Sequence, residues 1–204
     1  MNIENTGNKF KILTPCSRVY NIERMKSSIF AIPNSEWQIC VDLYDIKDNI
    51  DKRVNLDEIK DPKIKLQAYK NIDSIYGNAQ RNKLLDDNKN DNTSYFYFLD
   101  DDNIIHKDLY DNIKEFFGEY DIIYFDQVYM DNKIRFSADL KNIIPSQIDT
   151  AQVVFNMKAA QDCIFPLQEY LADGFFYQKM FSNKHLKVKI LNKSLCHYNF
   201  LKKN

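Results

Sequence analysis

Residues 95–103, YFYFLDDDN, run five apolar or aromatic side chains straight into Asp100, Asp101 and Asp102. Two carboxylates about 4 Å apart repel by roughly 4 kcal/mol at an effective dielectric of about 20, so such a cluster calls for a counter-charge. A divalent cation would reverse the sign of that term. Hard oxygen donors with open positions suit Mg2+ or Mn2+ held partly by carboxylates and partly by the phosphates of a substrate. An acidic run can also close a strand as a solvated turn, its Asp and Asn side chains bonding the next backbone groups. Position favours the ligand reading. A strand apolar on both faces is a central strand covered by helices, and open α/β sheets bind ligands outside the carboxyl ends of their strands. Strand alternation would project Asp100 and Asp102 together and Asp101 the other way. A calcium EF-hand does not fit, because the central glycine and a preceding helix are both missing.

The elements that must hold this corner follow from periodicity. A strand is predicted over 9–14, ending at Pro15, then a helix capped by Asn21 with Ile22, Met25, Ile29 and Ile32 at helical spacing before Pro33. WQICVDLYD is the next strand, with its acidic end at Asp42 and Asp45, which completes a βαβ unit and implies a parallel sheet. Residues 44–61 are polar and irregular and read as a surface loop. IKLQAY alternates like a half-exposed strand, and helices are expected over 77–85 and from Asp108 to a stop at Gly118. Further strands are expected at DIIYFDQVYM, KIRFSA, AQVVFNM and LKVKIL, with a helix over 173–181. The fold class is α/β: one domain with a mostly parallel central sheet, helices on both faces and a mixed second half.

Composition agrees with one globular domain. The chain has 204 residues, 44% of them hydrophobic and 14% aromatic, enough for a substantial core. Its 28 basic and 29 acidic residues leave a net charge of −1 with no basic stripe, which makes nucleic acid a poor partner. The amino-terminal stretch lacks the apolar core of a secretory signal, and no run of about 18 apolar residues could form an integral membrane segment. A soluble, cytoplasmic protein is expected. Cys16, Cys40, Cys163 and Cys196 form no CxxC pair and read as reduced, buried thiols. His106 and His185 read as surface residues.

The ordered series ILTPCSR, CVDLYD, GNAQRN, FLDDDN and, much later, ADGFF resembles the GT-A-fold nucleotide-sugar glycosyltransferases of the family-2 kind, whose metal site is the DxD motif. The resemblance covers most of the chain. It implies a single Rossmann-related GT-A-like domain, with about 9–103 as the nucleotide-binding half and about 104–204 as the acceptor-side half. It also implies a Mn2+ or Mg2+ ion held by Asp100 and Asp102, with His197 in SLCHYNF as a further ligand, and ribose hydroxyls donating to Asp101. Thr14, Pro15 and Asp42 would line the nucleoside pocket, and Arg18 and Arg81 would face the base or diphosphate. Asp149 and Gln152 in IDTAQ match the segment near donor sugar or acceptor. Asp173 would be the general base of an inverting transfer, although Ala172 stands where the family often has a second acid. The donor implied is a UDP-sugar; glycan, protein and small-molecule acceptors are all left open.

Each residue also has a plainer reading: Arg81 in a surface ion pair, Arg18 solvated in a turn, Asp173 capping its helix, His197 packed beside aromatics. Asp149 and Gln152 suit a strand-entry turn. Trp37, Tyr170, Phe175 and Phe176 offer sugar-stacking faces or core. Two other functions fit the same fold. One is a catalytically silent module binding a nucleotide sugar or glycan. The other is a sugar-1-phosphate nucleotidyltransferase, disfavoured because TPCSRVYNIER has no glycine for a phosphate loop.

Overall fold

The structure is a computed structural model that describes residues 9–42, 59, 61–69 and 74–201. The polar loop expected over 44–61 lies outside them except for Ile59 and Asp61, and Asp45 lies outside as well. Among the described residues, eight strands form one sheet. β1 (Lys9–Cys16), β2 (Ser35–Asp42), β3 (Ile64–Tyr69) and β4 (Ser94–Phe98) make its parallel part, in spatial order β3-β2-β1-β4. α1 (Ile22–Phe30) lies between β1 and β2, and α2 (Asn78–Asn88) leads into β4. The mixed part holds β5 (Ile122–Val128), β6 (Ile134–Phe136), β7 (Val153–Asn156) and β8 (Val188–His197). β7 is inserted antiparallel between β4 and β5. β8 runs parallel along β5, so β7 and β6 share the other edge of β5 in succession.

Three more helices, α3 (Leu109–Ile113), α4 (Met157–Ala160) and α5 (Ala172–Phe181), complete the layers. On β4, Tyr95 and Tyr97 face Met25 and Ile29 of α1 and Leu109 and Ile113 of α3. Phe96 and Phe98 point the other way, toward Leu84 of α2 and Phe176 of α5. Both faces of the strand are therefore buried, which is why its sequence is apolar without alternation. Each such side chain taken out of water contributes about 1.5–3 kcal/mol.

Two differences from expectation bear on the site. β1 continues through Pro15 to Cys16, because its pairing with β4 stops at Leu13 and Pro15 faces only Cys40 of β2, so the missing N–H falls where one neighbour remains. Asn21 makes no side-chain cap; α1 grows from a 3-10 turn, Val19–Asn21. The Asn21 amide instead donates to the Asp101 carbonyl at 2.8 Å. All four cysteines are buried and unpaired in disulfides. Among the described residues no helix is long and apolar enough to cross a membrane.

Candidate active site

The carboxyl ends of β1, β2 and β4 open onto a cleft of about 930 Å³. One wall is the turn after β1, with Pro15, Ser17 and Arg18, together with Asp42 at the end of β2. The first turn of α2 adds Gly77, Gln80 and Arg81, and Arg135, Asp149, Asp173 and Tyr198 form the far wall. Gly77 has φ +76°, and a Cβ there would lie 3.0 Å from Pro15 Cβ, so only glycine lets α2 start this close to the end of β1. Tyr76, Ser146 and Asn199, all at the cleft, also adopt positive φ (53°, 80° and 52°). Strained backbone of this kind collects at binding sites.

At the acidic corner the chain turns at once, with the Asn103 N–H donating to the Asp100 carbonyl at 3.0 Å. The alternation expected past β4 is therefore lost, and the carboxylates divide differently. Asp100 accepts from Arg81 Nη2 at 2.6 Å, and its other oxygen has only a long 3.4 Å contact with Thr150 Oγ1. Asp101, 2% exposed, accepts from the Ser17 and Arg18 backbone N–H groups at 2.7 and 2.6 Å and from Arg18 Nε at 2.8 Å, with Arg18 Nη2 on the same oxygen. Its carboxylate is thus engaged by the β1–α1 turn while still lining the cleft. Asp102 lies on the Arg18 side, 3.1 Å from Nη1. Burial and the nearby Asp100 charge push its carboxyl up to about 6. The corner is strapped from behind: Leu201 N–H donates to the Asp102 carbonyl at 2.6 Å and Phe200 N–H to Asn103 Oδ1 at 3.0 Å.

On the far wall Asp149 caps the 3-10 turn Thr150–Gln152, accepting from Ala151 N–H at 3.0 Å while its own N–H donates to Gln152 Oε1 at 3.0 Å. Its second oxygen accepts from Arg135 Nη1 at 2.7 Å. The Arg135 guanidinium carbon sits 3.6 Å from the Tyr198 ring centroid and 4.2 Å from that of Phe136, a cation–π sandwich that fixes its direction. Asp173 stands in the first turn of α5 and, among the described residues, accepts only from Gly174 N–H, at 2.8 Å. Burial, then the Asp149 charge, raise its carboxyl to about 7. Gly174 permits this placement, since a Cβ there would come within 2.4 Å of Pro145 Cα.

The charges decide what the cleft can take. Its described lining carries five aspartates against three arginines, so a diphosphate meets an acidic site unless a cation accompanies it. Asp100 lines the cleft with one weakly held oxygen, while Asp102 lies outside the lining on Arg18, its ionised form disfavoured by burial and by Asp100. Among the described residues no group of three or more His, Cys, Asp or Glu side chains is arranged as a cation cage. Mg2+ is commonly held by one or two carboxylates with phosphate and water completing the shell, and Asp100 offers one such oxygen at the cleft.

The remaining sequence candidates lie around this cleft. Pro15, Arg18, Asp42 and Arg81 line it. Thr14 sits behind it, fully buried, its Oγ1 accepting from Trp37 Nε1 at 2.9 Å. Gln152 is buried, its amide donating to the Phe125 and Phe136 carbonyls. His197 is outside the lining, its ring 5.0 Å from that of His106, and burial followed by that neighbour lower its proton affinity. Trp37 and Phe176 are core; Tyr170, 72% exposed, meets Tyr76 edge-on at 5.1 Å on the rim. Sequence reasoning passed over Arg135, Tyr198 and Gln80. The one available signal for Arg135 was a lone arginine inside the short strand motif KIRFSA.

Comparison with solved structures finds the same fold. S. aureus TarS in complex with UDP-GlcNAc superposes with TM-score 0.69 at 15% identity, over 93% of this chain and 58% of that one. A further crystal structure of an S. aureus TarS fragment gives 0.63 at 16%, over 93% and 60%. The Pyrobaculum calidifontis mannosyltransferase PcManGT, in complex with GDP-Man and Mn2+, gives 0.57 at 9%, over 94% and 56%. The GT-A fold expected from the motif series is thereby shown. This chain spans less than two thirds of the length of each of these structures. No protein-family model matches it, and no curated protein does.

Proposed function

We propose that this chain is a glycosyltransferase that moves a sugar from a nucleotide-sugar donor, a UDP-sugar, to an acceptor hydroxyl with inversion at the anomeric carbon. The observation that carries the proposal is one cleft at the carboxyl edge of the parallel strands with Asp100 on one side and a proton-seeking Asp173 on the other. The UDP-GlcNAc and GDP-Man bound by the fold neighbours support a nucleotide-sugar donor.

Asp100 and Asp102 would hold a Mn2+ or Mg2+ ion. Such an ion supplies Lewis-acid stabilisation of the departing diphosphate. The chain's own residues do the rest. Arg81, held between Asp100 and the Tyr76 carbonyl at 2.6 Å each, and Arg18 present positive charge to the diphosphate. Asp101 acts through Arg18, fixing the turn that carries it. Asp173 accepts the proton of the acceptor hydroxyl, whose oxygen bonds to the anomeric carbon as the bond from that carbon to the phosphate oxygen breaks. Asp149 and Arg135 shape the far wall beside that base.

The test is a panel of UDP- and GDP-sugars with Mn2+, read as release of nucleoside diphosphate without acceptor and as transfer with candidate glycans. Release from at least one donor, lost in Asp100→Ala, is expected. Metal-dependent UDP binding with no turnover of any donor would support the silent binding module instead.

A further inference from the structure

Five buried side-chain polar atoms among the described residues lack a hydrogen-bond partner, and three of them belong to consecutive cleft residues: Gln80 Oε1, Gln80 Nε2 and Arg81 Nε. Gln80 is the extreme case, fully buried with both ends of its amide unpaired. Its place follows from helix spacing. Asn88 bonds to Gln38 of β2 at 2.7 Å, and Leu84, one turn earlier, packs with Leu13 and Cys40. Gln80 continues the same stripe by one more turn, toward the carboxyl ends of β1 and β2, where the cleft begins. An apolar residue would pack there without two unpaired atoms. Buried polar groups left unpaired in a folded chain call for a partner.

We infer that the Gln80 carboxamide reads the base of the donor nucleotide, pairing its N–H and C=O with the lactam edge of uracil or guanine. This rests on the nucleotide-sugar reading of the cleft. The charged part of such a ligand belongs with Arg18, Arg81 and the acidic corner. A neutral amide is the complement of a neutral heterocycle, and it offers one donor and one acceptor to an edge that carries one N–H beside one C=O.

The experiment is calorimetry on the full chain with Mg2+, titrating UDP, GDP, CDP and inorganic pyrophosphate. In Gln80→Met the affinity for UDP or GDP, whichever the wild type binds, is expected to fall about ten-fold or more, since a site built to bond a base suffers when one partner is lost. Pyrophosphate should bind within about two-fold of wild type, and the melting temperature of the free variant should not drop, because no bond is removed. Gln80→Glu, which keeps the shape but loses the donor, should weaken lactam nucleotides likewise. Unchanged UDP and GDP affinity in both variants, a parallel loss of pyrophosphate, wild-type binding of CDP as tight as UDP, or a large fall in melting temperature would each overturn the assignment. A wild-type chain that binds none of the nucleotides would overturn the transferase reading itself, and the base contact with it.

Discussion

Asp173 is a carboxyl group whose surroundings resist its charge. Burial first and Asp149 second raise it from 3.8 to about 7. Below about pH 4 it is neutral folded and unfolded. As pH rises toward 7 the unfolded chain ionises first, so the stability that comes from the protonated group is lost through that window and is absent above it. The proposed base role needs the ionised form, so transfer is expected to climb with pH and level off above about pH 7. Asp173→Asn should keep donor affinity within about two-fold and lose about 10²- to 10⁴-fold in transfer rate, read as initial rates from about pH 5 to about pH 9. An unaltered rate would reduce Asp173 to a helix-start residue. The carboxylates of this site were legible because acids at strand ends and helix starts have a local signature. Arg135 was not, because its direction is set by Tyr198 and Asp149, partners from other elements that no local pattern connects to it.

Helix α5 owes its seat to Gly174. With its Cβ position 2.4 Å from the Pro145 backbone, Gly174→Ala must push the helix start and the 145 loop apart. A loss of about 1–3 kcal/mol is expected, as for other overpacked contacts, measured as a lower urea midpoint at unchanged slope. Activity should fall with it, since Asp173 moves with the same turn. A wild-type midpoint would show that the loop yields freely. Most elements were readable from periodicity, including β4, whose two-sided burial follows from its composition. What escaped was non-local or very short. β7 enters between β4 and β5 by antiparallel pairing, which no spacing encodes. α4 is a four-residue turn whose one cue is Asn156 accepting from Ala159 N–H at 3.2 Å.

At the scale of the molecule the chain is nearly neutral, with net charge −1, yet the cleft gathers more aspartates than arginines. UDP alone should therefore shift the melting temperature little, while UDP with Mn2+ should stabilise by about 2.7 kcal/mol at a concentration of 100 Kd, an effect abolished by EDTA. Equal shifts with and without the ion would mean that Arg18 and Arg81 suffice for the diphosphate.

The bonds from Phe200 and Leu201 to Asn103 and Asp102 set a timetable for biosynthesis. Ribosomal synthesis delivers the aspartates well before β8, but the backbone groups of Phe200 and Leu201 that seat them follow β8. A nascent polypeptide that stalled after β7 would carry the acids without their setting.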